Sequence, residues 1–179
     1  MNIVIKKIKH QEQTEREKEA VTNCQKLCFD DRAHHPWAAF DFEWNTPDWH
    51  FHGVKDANLA CYLSITNNHC VIGNDMKVTI AGIGSVMTDL PYRGHGIAGT
   101  LVQAASEFIK NELRPDFGLL FCNPKLAPYY AKYGWTEILS PVYFPHSSGE
   151  KLWQENAMYL SCEKPVWPQG NVKLLNNIF

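Results

Sequence analysis

The sequence predicts an α+β protein of the broad α/β class, with a mixed, mostly antiparallel central sheet flanked by helices. Residues 3–8 and 50–88 alternate apolar and polar side chains with the two-residue period of strands. Residues 12–29 and 97–113 repeat apolar side chains at the three- and four-residue spacing of amphipathic helices. The apolar run at 117–122, FGLLFC, is typical of a strand that is buried on both faces.

In the first half of the chain, residues 3–8 predict a short opening strand because β-branched residues alternate there with lysines. The apolar face of the first helix, predicted over about 12–29, comprises Ala20, Val21, Cys24, Leu27 and Cys28. Residues 30–49 are acidic and aromatic without a period, which predicts an irregular segment. Three or four antiparallel strands are expected over residues 50–88, where Asn, Asp and Gly turns such as 73–75 separate the alternating runs.

In the second half, a helix is predicted from residue 97 to about Leu113, and Arg114-Pro115 ends it. The remaining predicted elements are, in order, a strand at 117–122, a short helix ending at Gly134, two closing strands at 135–145 and 157–162, and an irregular tail from Pro165 to Phe179.

Composition excludes several classes of protein. The 17 Lys and Arg against 19 Asp and Glu give a net charge of -2, which lacks the basic excess that nucleic-acid binding needs, so no nucleic-acid partner is expected. No apolar stretch approaches the ~20 residues of a membrane helix, so we expect no membrane partner and a cytoplasmic location. A chain of 179 residues with 45% apolar side chains is expected to form a single domain, 1–179.

The six cysteines form no C-x-x-C pair and are expected to be reduced thiols, mostly in the core. Cys24 and Cys28, with two histidines downstream, offer a metal-site alternative, but their shared apolar face favours core packing, so no metal is expected. His50 and His52 share one face of a predicted strand and are expected to face solvent.

A glycine-rich turn is the most informative segment. The predicted strand 78–88 leads into Arg93-Gly94-His95-Gly96-Ile97-Ala98 and directly into a helix. This order places backbone N–H groups and a helix N-terminus at the mouth of a sheet, which is anion-binding geometry. Glycines let the backbone approach a ligand closely, and Arg93 adds a cation, so a phosphate or diphosphate is the expected ligand.

The same residues also satisfy the dinucleotide fingerprint G-x-G-x-x-G at Gly94, Gly96 and Gly99. That alternative would make the protein an NAD(P)-binding oxidoreductase. It requires an acidic residue about 20 positions on, at the end of the next strand, but the strand 117–122 ends in Cys122-Asn123. The preceding strands also form a meander rather than βα units, so this alternative is the less favoured.

The turn resembles the [Q/R]-x-x-G-x-[G/A] diphosphate loop of the GNAT superfamily of N-acetyltransferases. A second motif stands at the expected place, because Asn123 precedes Tyr130 by seven residues and Tyr130-x-x-x-Gly134-Trp135 resembles the Y-x-x-x-G-[F/W] helix end of that family. The resemblance covers about residues 50–139 and implies a GNAT fold. Within the superfamily, the chain looks most like aminoglycoside 2'-N-acetyltransferases and their uncharacterised relatives.

The resemblance implies acetyl-CoA as co-substrate, without a metal. It places Val86, Met87 and Thr88 in the cofactor site, with Val86 and Thr88 bonding the pantetheine arm through their backbone and Met87 facing the opposite side. The residues implied to wrap the diphosphate are Arg93, Gly94, His95, Gly96, Ile97 and Ala98. Asn123 is implied to contact the pantetheine.

Tyr130 is implied to be the catalytic general acid near the thioester sulfur. A phenol with a pKa near 10 can donate a hydrogen bond or a proton to a thiolate leaving group, whose pKa is about 8.5. The implied reaction is direct attack on the thioester by the primary amine of a small molecule, either aminoglycoside-like or polyamine-like. A non-catalytic acyl-CoA-binding regulatory module is the alternative, and a homodimer is left open.

The general base is where the chain departs from the resemblance. Aminoglycoside 2'-N-acetyltransferases carry a Glu nine positions before the residue equivalent to Arg93, and here that position is Gly84. A water chain, a carboxylate from residues 30–48 or Asp89 are the alternatives. The resemblance also implies that the tail ending at Phe179 lies near the acceptor, and the acidic, aromatic segment 30–49 would suit a cationic amine.

Overall fold

A ten-stranded sheet with three helices forms the described part of the chain, which is residues 2–29 and 44–179 of this computed structural model. The strands are β1 (Val4–Lys9), β2 (Trp49–Lys55), β3 (Asn58–Ile72), β4 (Met76–Thr88), β5 (Phe117–Cys122), β6 (Thr136–Glu137), β7 (Val142–Phe144), β8 (Lys151–Leu152), β9 (Asn156–Ser161) and β10 (Val172–Leu174). The helices are α1 (Glu15–Cys28), α2 (Ile97–Phe108) and α3 (Ala127–Ala131).

The strands lie in the order β6-β9-β5-β4-β3-β10-β7-β8, and β2 lies between β1 and the first half of β3. β4 pairs parallel to β5, and β10 pairs parallel to β7, whereas the other pairs are antiparallel. The predicted mixed, mostly antiparallel sheet with flanking helices is therefore confirmed.

The two central strands separate at one end. The last paired residues of β4 and β5 are Ile83 and Leu120, although β4 continues along β3 to Thr88 and β5 continues along β9 to Cys122. At Ser85 the β3–β4 register shifts and the backbone takes a left-handed φ of 53°. A bulge of this kind bends the strand and increases its twist, which opens a gap between β4 and β5.

The two faces of the sheet differ in polarity. On one face, α2 packs into an apolar core with residues such as Leu63, Ile65 and Leu101, all fully buried. The other face lies beneath α1, which buries Val21 and Cys24 there. That second face also buries polar side chains, at His50, His52, Ser64, Thr66 and Asn68.

Several predicted boundaries shift. α1 begins at Glu15 because Thr14 and Glu17 form a capping box, and α2 passes at Phe108 into a π-helical turn. The strand predicted at 135–145 is two short strands, β6 and β7. The prediction of an irregular tail is wrong at 172–174, where β10 pairs with β3 and β7.

The calls on Asp30, Asp31, Asp41 and Glu43, within the predicted segment 30–49, fall outside the described residues. In the part that is described, no helix is long and apolar enough to cross a membrane. No cluster of three or more His, Cys, Asp or Glu suited to a metal ion occurs there either.

Candidate active site

The gap between β4 and β5 opens into a cavity of about 480 Å³. One wall is Ile83–Val86 of β4, and the other is Leu120–Cys122 of β5 followed by Asn123. Tyr130 of α3 also lines the cavity, as does Phe179 of the tail. We call this space the β4–β5 cavity; it brings residues from both sequence motifs together.

The backbone of β4 presents alternate residues to this cavity. The amide of Asp89 donates to the carbonyl of Ala60 on β3, so Asp89 and, two residues earlier, Met87 direct their backbone groups toward β3. Val86 and Thr88 therefore direct theirs toward the open edge of β4. The Met87 side chain is buried beneath α1 with Val21 and Cys24. This arrangement matches the predicted division between Val86 and Thr88 on one side and Met87 on the other.

The glycine-rich turn is built for a close backbone approach. Gly94 and Gly96 have φ values of 79° and 73°, and a Cβ atom added at either would meet nothing within 4 Å. Gly96 is the N-cap of α2, and among the described residues no side chain caps it. Ile97 buries its side chain in the core, so only its backbone faces this end of the helix. The turn fits an anion such as a diphosphate.

Arg93 makes contacts on the strand side of the turn. Its Nε donates to the Thr88 carbonyl at 2.9 Å, and its Nη2 donates to Cys28 Sγ at 3.4 Å. The guanidinium thus joins the end of β4, the turn and the end of α1. His95 is exposed at the tip of the turn, and Ala98 is half-buried in the first turn of α2.

Tyr130 and Asn123 lie where β5 ends and α3 follows. The Tyr130 side chain is buried, and burial, with smaller contributions from Cys122 and Tyr129, raises the pKa of its phenol well above the ordinary value. The phenol is therefore a hydrogen-bond donor at neutral pH. Asn123 caps the next turn, because its Oδ1 accepts from the amide of Lys125 at 3.0 Å.

Aromatic rings form the other end of the cavity. Phe121 lies 4.5 Å from the ring centroid of Trp153 and stacks on Phe179 at 5.4 Å. The tail is held there by Asn45, whose amide donates to the Ile178 carbonyl at 2.8 Å. Phe179 therefore lies near the acceptor end, where the resemblance implied it.

Gly84 shows why this chain carries no carboxylate at that position. A Cβ atom added there would lie 2.7 Å from the main-chain carbonyl carbon of Phe179 and 2.9 Å from its oxygen. A glutamate side chain therefore has no room on this strand while the tail is in place. The tail fills the space that a side chain would otherwise occupy.

Two of the carboxylates considered from sequence have structural roles. Asp48 Oδ2 accepts from the amide of Asn67 at 2.6 Å, and Asp89 Oδ1 accepts from the amide of Leu90 at 2.8 Å. Glu155, which precedes β9, does line the cavity and was missed. It stands in no recognisable motif, so only the folded chain reveals its position.

The expectation that His50 and His52 face solvent is wrong. Their side chains are 4% and 2% exposed, because α1 and the turn before it cover this face of β2. His50 Nδ1 is 2.7 Å from the hydroxyl of Tyr62, and His52 Nε2 is 3.4 Å from Gln13 Nε2. The alternation of polar side chains at Tyr62, Ser64, Thr66 and Asn68 was the sequence signal of this buried polar face.

Burial disfavours a charge on these histidines. It lowers the pKa of His50 to about 4, with smaller contributions from His10 and His52, and it lowers the pKa of His52 as well. Both rings are therefore neutral at neutral pH, with one nitrogen donating and the other accepting.

Acidification is expected to destabilise the protein between pH 6.5 and 4. The unfolded chain binds a proton at His50 below its ordinary pKa of 6.5, whereas the folded chain does so only near 4. This stability is complete above pH 6.5 and falls with pH, by up to about 3 kcal/mol for His50. Urea unfolding at pH 7.5, 5.5 and 4.5 measures it. His50→Gln should flatten the dependence and His69→Gln, at an exposed histidine, should not; equal slopes in all three proteins would contradict it.

Comparison with known proteins agrees with this geometry. The profile of the family described as "Acetyltransferase (GNAT) domain" matches residues 9–138, which include both the glycine-rich turn and Tyr130. A search of curated proteins gave no significant match.

Solved structures of acetyltransferases share the fold. The chain is similar to ElaA of Escherichia coli (TM-score 0.64, 18% identity, 89% of this chain and 99% of that one). It is similar to YhbS of Escherichia coli, described as a GNAT family N-acetyltransferase in complex with CoA (0.63, 14%, 97% and 90%). It is also similar to a GNAT family acetyltransferase of Brucella melitensis in complex with acetyl-CoA (0.60, 15%, 94% and 94%). At these identities the likeness shows the fold alone.

Proposed function

Because the chain belongs to the GNAT family of acetyltransferases, and is thus an acyltransferase, we propose that it transfers an acetyl group from acetyl-CoA to the primary amine of a small molecule. The observation that carries this proposal is the β4–β5 cavity. It joins an open strand edge to a buried phenol, and the same strand runs on into an uncapped glycine-rich turn. The narrower resemblance to aminoglycoside 2'-N-acetyltransferases stays a prediction.

The residues present suit the long, anionic co-substrate. The open space over Gly94 and Gly96 lets a diphosphate approach the N-terminus of α2, where backbone N–H groups and the helix dipole favour negative charge. The edge of β4 at Val86 and Thr88 offers backbone groups to the amides of the pantetheine arm, as one more strand would. Asn123 stands on the opposite wall.

The chemistry follows from where the thioester would lie. Acetyl-CoA supplies an electrophilic carbonyl carbon and a thiolate leaving group. Tyr130 donates a hydrogen bond or a proton at the sulfur, because its raised pKa keeps the phenol protonated. An N–H group on the bulged end of β4 can polarise the carbonyl. The amine attacks directly, so no covalent enzyme intermediate is required.

The acceptor end of the cavity favours a small cationic amine. The rings of Phe121, Trp153 and Phe179 offer π faces, and Glu155 adds a negative charge. A polyamine-like chain satisfies such walls through its methylene groups. A polyhydroxylated aminoglycoside would bury hydroxyls against rings, which leaves them without hydrogen bonds. We therefore place polyamine-like and other short alkyl amines ahead of aminoglycosides.

An amine panel tests the proposal. Thiol release from acetyl-CoA is measured with polyamines, short alkyl and arylalkyl amines and aminoglycosides, and calorimetry compares binding of acetyl-CoA with binding of NADH. Acetyl-CoA is expected to bind and NADH not to bind, and at least one small amine should release thiol faster than buffer does. Binding of acetyl-CoA without turnover of any amine would instead favour a regulatory module, and binding of NADH alone would favour an oxidoreductase.

A further inference from the structure

A continuous set of hydrogen-bonding side chains leads from the cavity to the protein surface. Ser64 and Tyr62 both line the β4–β5 cavity, and the Ser64 hydroxyl forms a hydrogen bond with Tyr62. The Tyr62 hydroxyl lies 2.7 Å from His50 Nδ1, and His50 Nε2 lies 3.0 Å from His10 Nδ1. His10 is exposed, in the turn that follows β1.

These contacts fit one direction of proton donation. With His50 and His10 neutral and carrying their protons on Nε2, Tyr62 donates to His50, and His50 donates to His10. His10 then has its Nε2–H group left for solvent. Three of the four side chains are buried on the polar face beneath α1, so water does not replace them.

We propose that Ser64, Tyr62, His50 and His10 form a proton relay that carries the proton of the substrate ammonium group from the cavity to solvent at His10. The proposal rests on the proposed acetylation of a primary amine. An ammonium group has a pKa near 10 and must lose a proton before its nitrogen can attack. On β4, Gly84 leaves no space for a carboxylate, and the relay begins at its register partner on β3, Ser64.

One proton is transferred overall. The ammonium N–H bond breaks, the nitrogen keeps the electron pair, and an O–H bond forms at Ser64 Oγ. The Ser64 proton passes to the Tyr62 oxygen, the Tyr62 proton to His50 Nδ1, the His50 Nε2 proton to His10 Nδ1, and the His10 Nε2 proton to water. Rotation of the hydroxyls and reorientation of the imidazole rings then restore the starting arrangement, without any oxidant or reductant.

The surroundings suit a conductor better than a base that holds the proton. The charged and titratable groups around His50 and His52 are Lys6 of β1, His10, Glu17 of α1 and Tyr62 of β3. Burial outweighs Glu17 and lowers the pKa of His50 to about 4. A proton is therefore not trapped on that ring at neutral pH. Burial likewise raises the pKa of Tyr62 above its ordinary value, so its hydroxyl stays protonated between transfers.

Steady-state kinetics with the best amine of the panel test the relay. Tyr62→Phe should lower kcat/KM for the amine about 100-fold at pH 7, and His10→Ala about 10-fold. Both deficits should shrink as the pH rises toward 9.5, because more of the amine then arrives unprotonated. Added 4-methylimidazole should restore part of the His10→Ala rate by replacing the lost ring. The matched controls are Tyr159→Phe and, at an exposed histidine, His69→Ala, which should show neither effect.

The free protein gives a second, independent measurement. Nitrogen NMR of the imidazole rings should find His50 in the Nε2–H form, with Nδ1 accepting from Tyr62. The Nδ1–H form would overturn the relay, because donation would then run toward the cavity. Deficits that stay constant with pH and are not rescued, or a pH dependence that disappears only in Glu155→Gln, would also overturn it. If wild type acetylates no amine, the proposed function fails, and the NMR result still decides the relay.

Discussion

Tyr130→Phe is expected to lower kcat for acetyl transfer by about 100-fold, the scale of a lost general acid. The substitution removes one hydroxyl and keeps the ring, which is 6% exposed and packed in the core beside α2. KM for acetyl-CoA should change little, since the diphosphate turn and the edge of β4 are untouched. Thiol release under saturating acetyl-CoA measures the effect.

The pH dependence adds a second expectation. Burial, Cys122 and Tyr129 hold the pKa of the Tyr130 phenol above its ordinary value, so this group loses no proton up to pH 10. The wild-type rate should therefore show no falling limb from Tyr130 below pH 10. The loss caused by Tyr130→Phe should be the same at pH 7 and pH 9, unlike that of the relay variants.

Tyr129→Phe is the matched control. Its ring lies 5.1 Å from that of Tyr130 on the same helix, but it does not line the cavity. We expect it to keep kcat within about twofold, because it removes a hydroxyl from the same region without touching the reacting atoms. If Tyr130→Phe loses no more activity than Tyr129→Phe, Tyr130 is not the acid.

The parts of the site that sequence predicts are those encoded locally. The glycine-rich turn needs only left-handed residues at Gly94 and Gly96 and a helix directly after them, and both are written in consecutive residues. The second motif is likewise local, since Asn123 caps the turn before α3 and Gly134, with φ of 86°, ends the segment that follows α3.

The parts that sequence did not predict depend on distant contacts. The tail lacks any period of its own, yet Val172 pairs with Ile72 and with Val142, and Phe179 reaches Gly84. Periodicity within a segment cannot show a partner that is about 100 residues away in the chain. The same holds for His50, which α1 and the turn before it cover.

The missing carboxylate is the clearest example. From sequence, Gly84 is only a departure from the family pattern. In the folded chain it is the position where the tail's main chain crosses β4, so the glycine and the tail depend on each other. Restoring a side chain there would displace the tail instead of supplying a base.

Gly96→Asp is expected to weaken acetyl-CoA binding by at least about 100-fold, or about 2.7 kcal/mol. The new carboxylate would stand at the N-cap of α2, where the proposed diphosphate lies, so like charges repel and the side chain fills the open space. The left-handed φ of 73° adds a separate cost of about 1–2 kcal/mol to folding stability. Calorimetry with acetyl-CoA and urea unfolding measure the two effects separately.

Gly149→Asp separates ligand binding from backbone strain. Gly149 also has a left-handed φ, of 98°, and a Cβ atom added there would meet nothing within 4 Å, but it lies outside the β4–β5 cavity and the glycine-rich turn. Its aspartate variant should lose a similar amount of stability and keep wild-type affinity for acetyl-CoA. Equal affinity in the two variants would show that the diphosphate does not bind at the N-terminus of α2. The proposed cofactor site would then be wrong, because nothing else links the turn to the edge of β4.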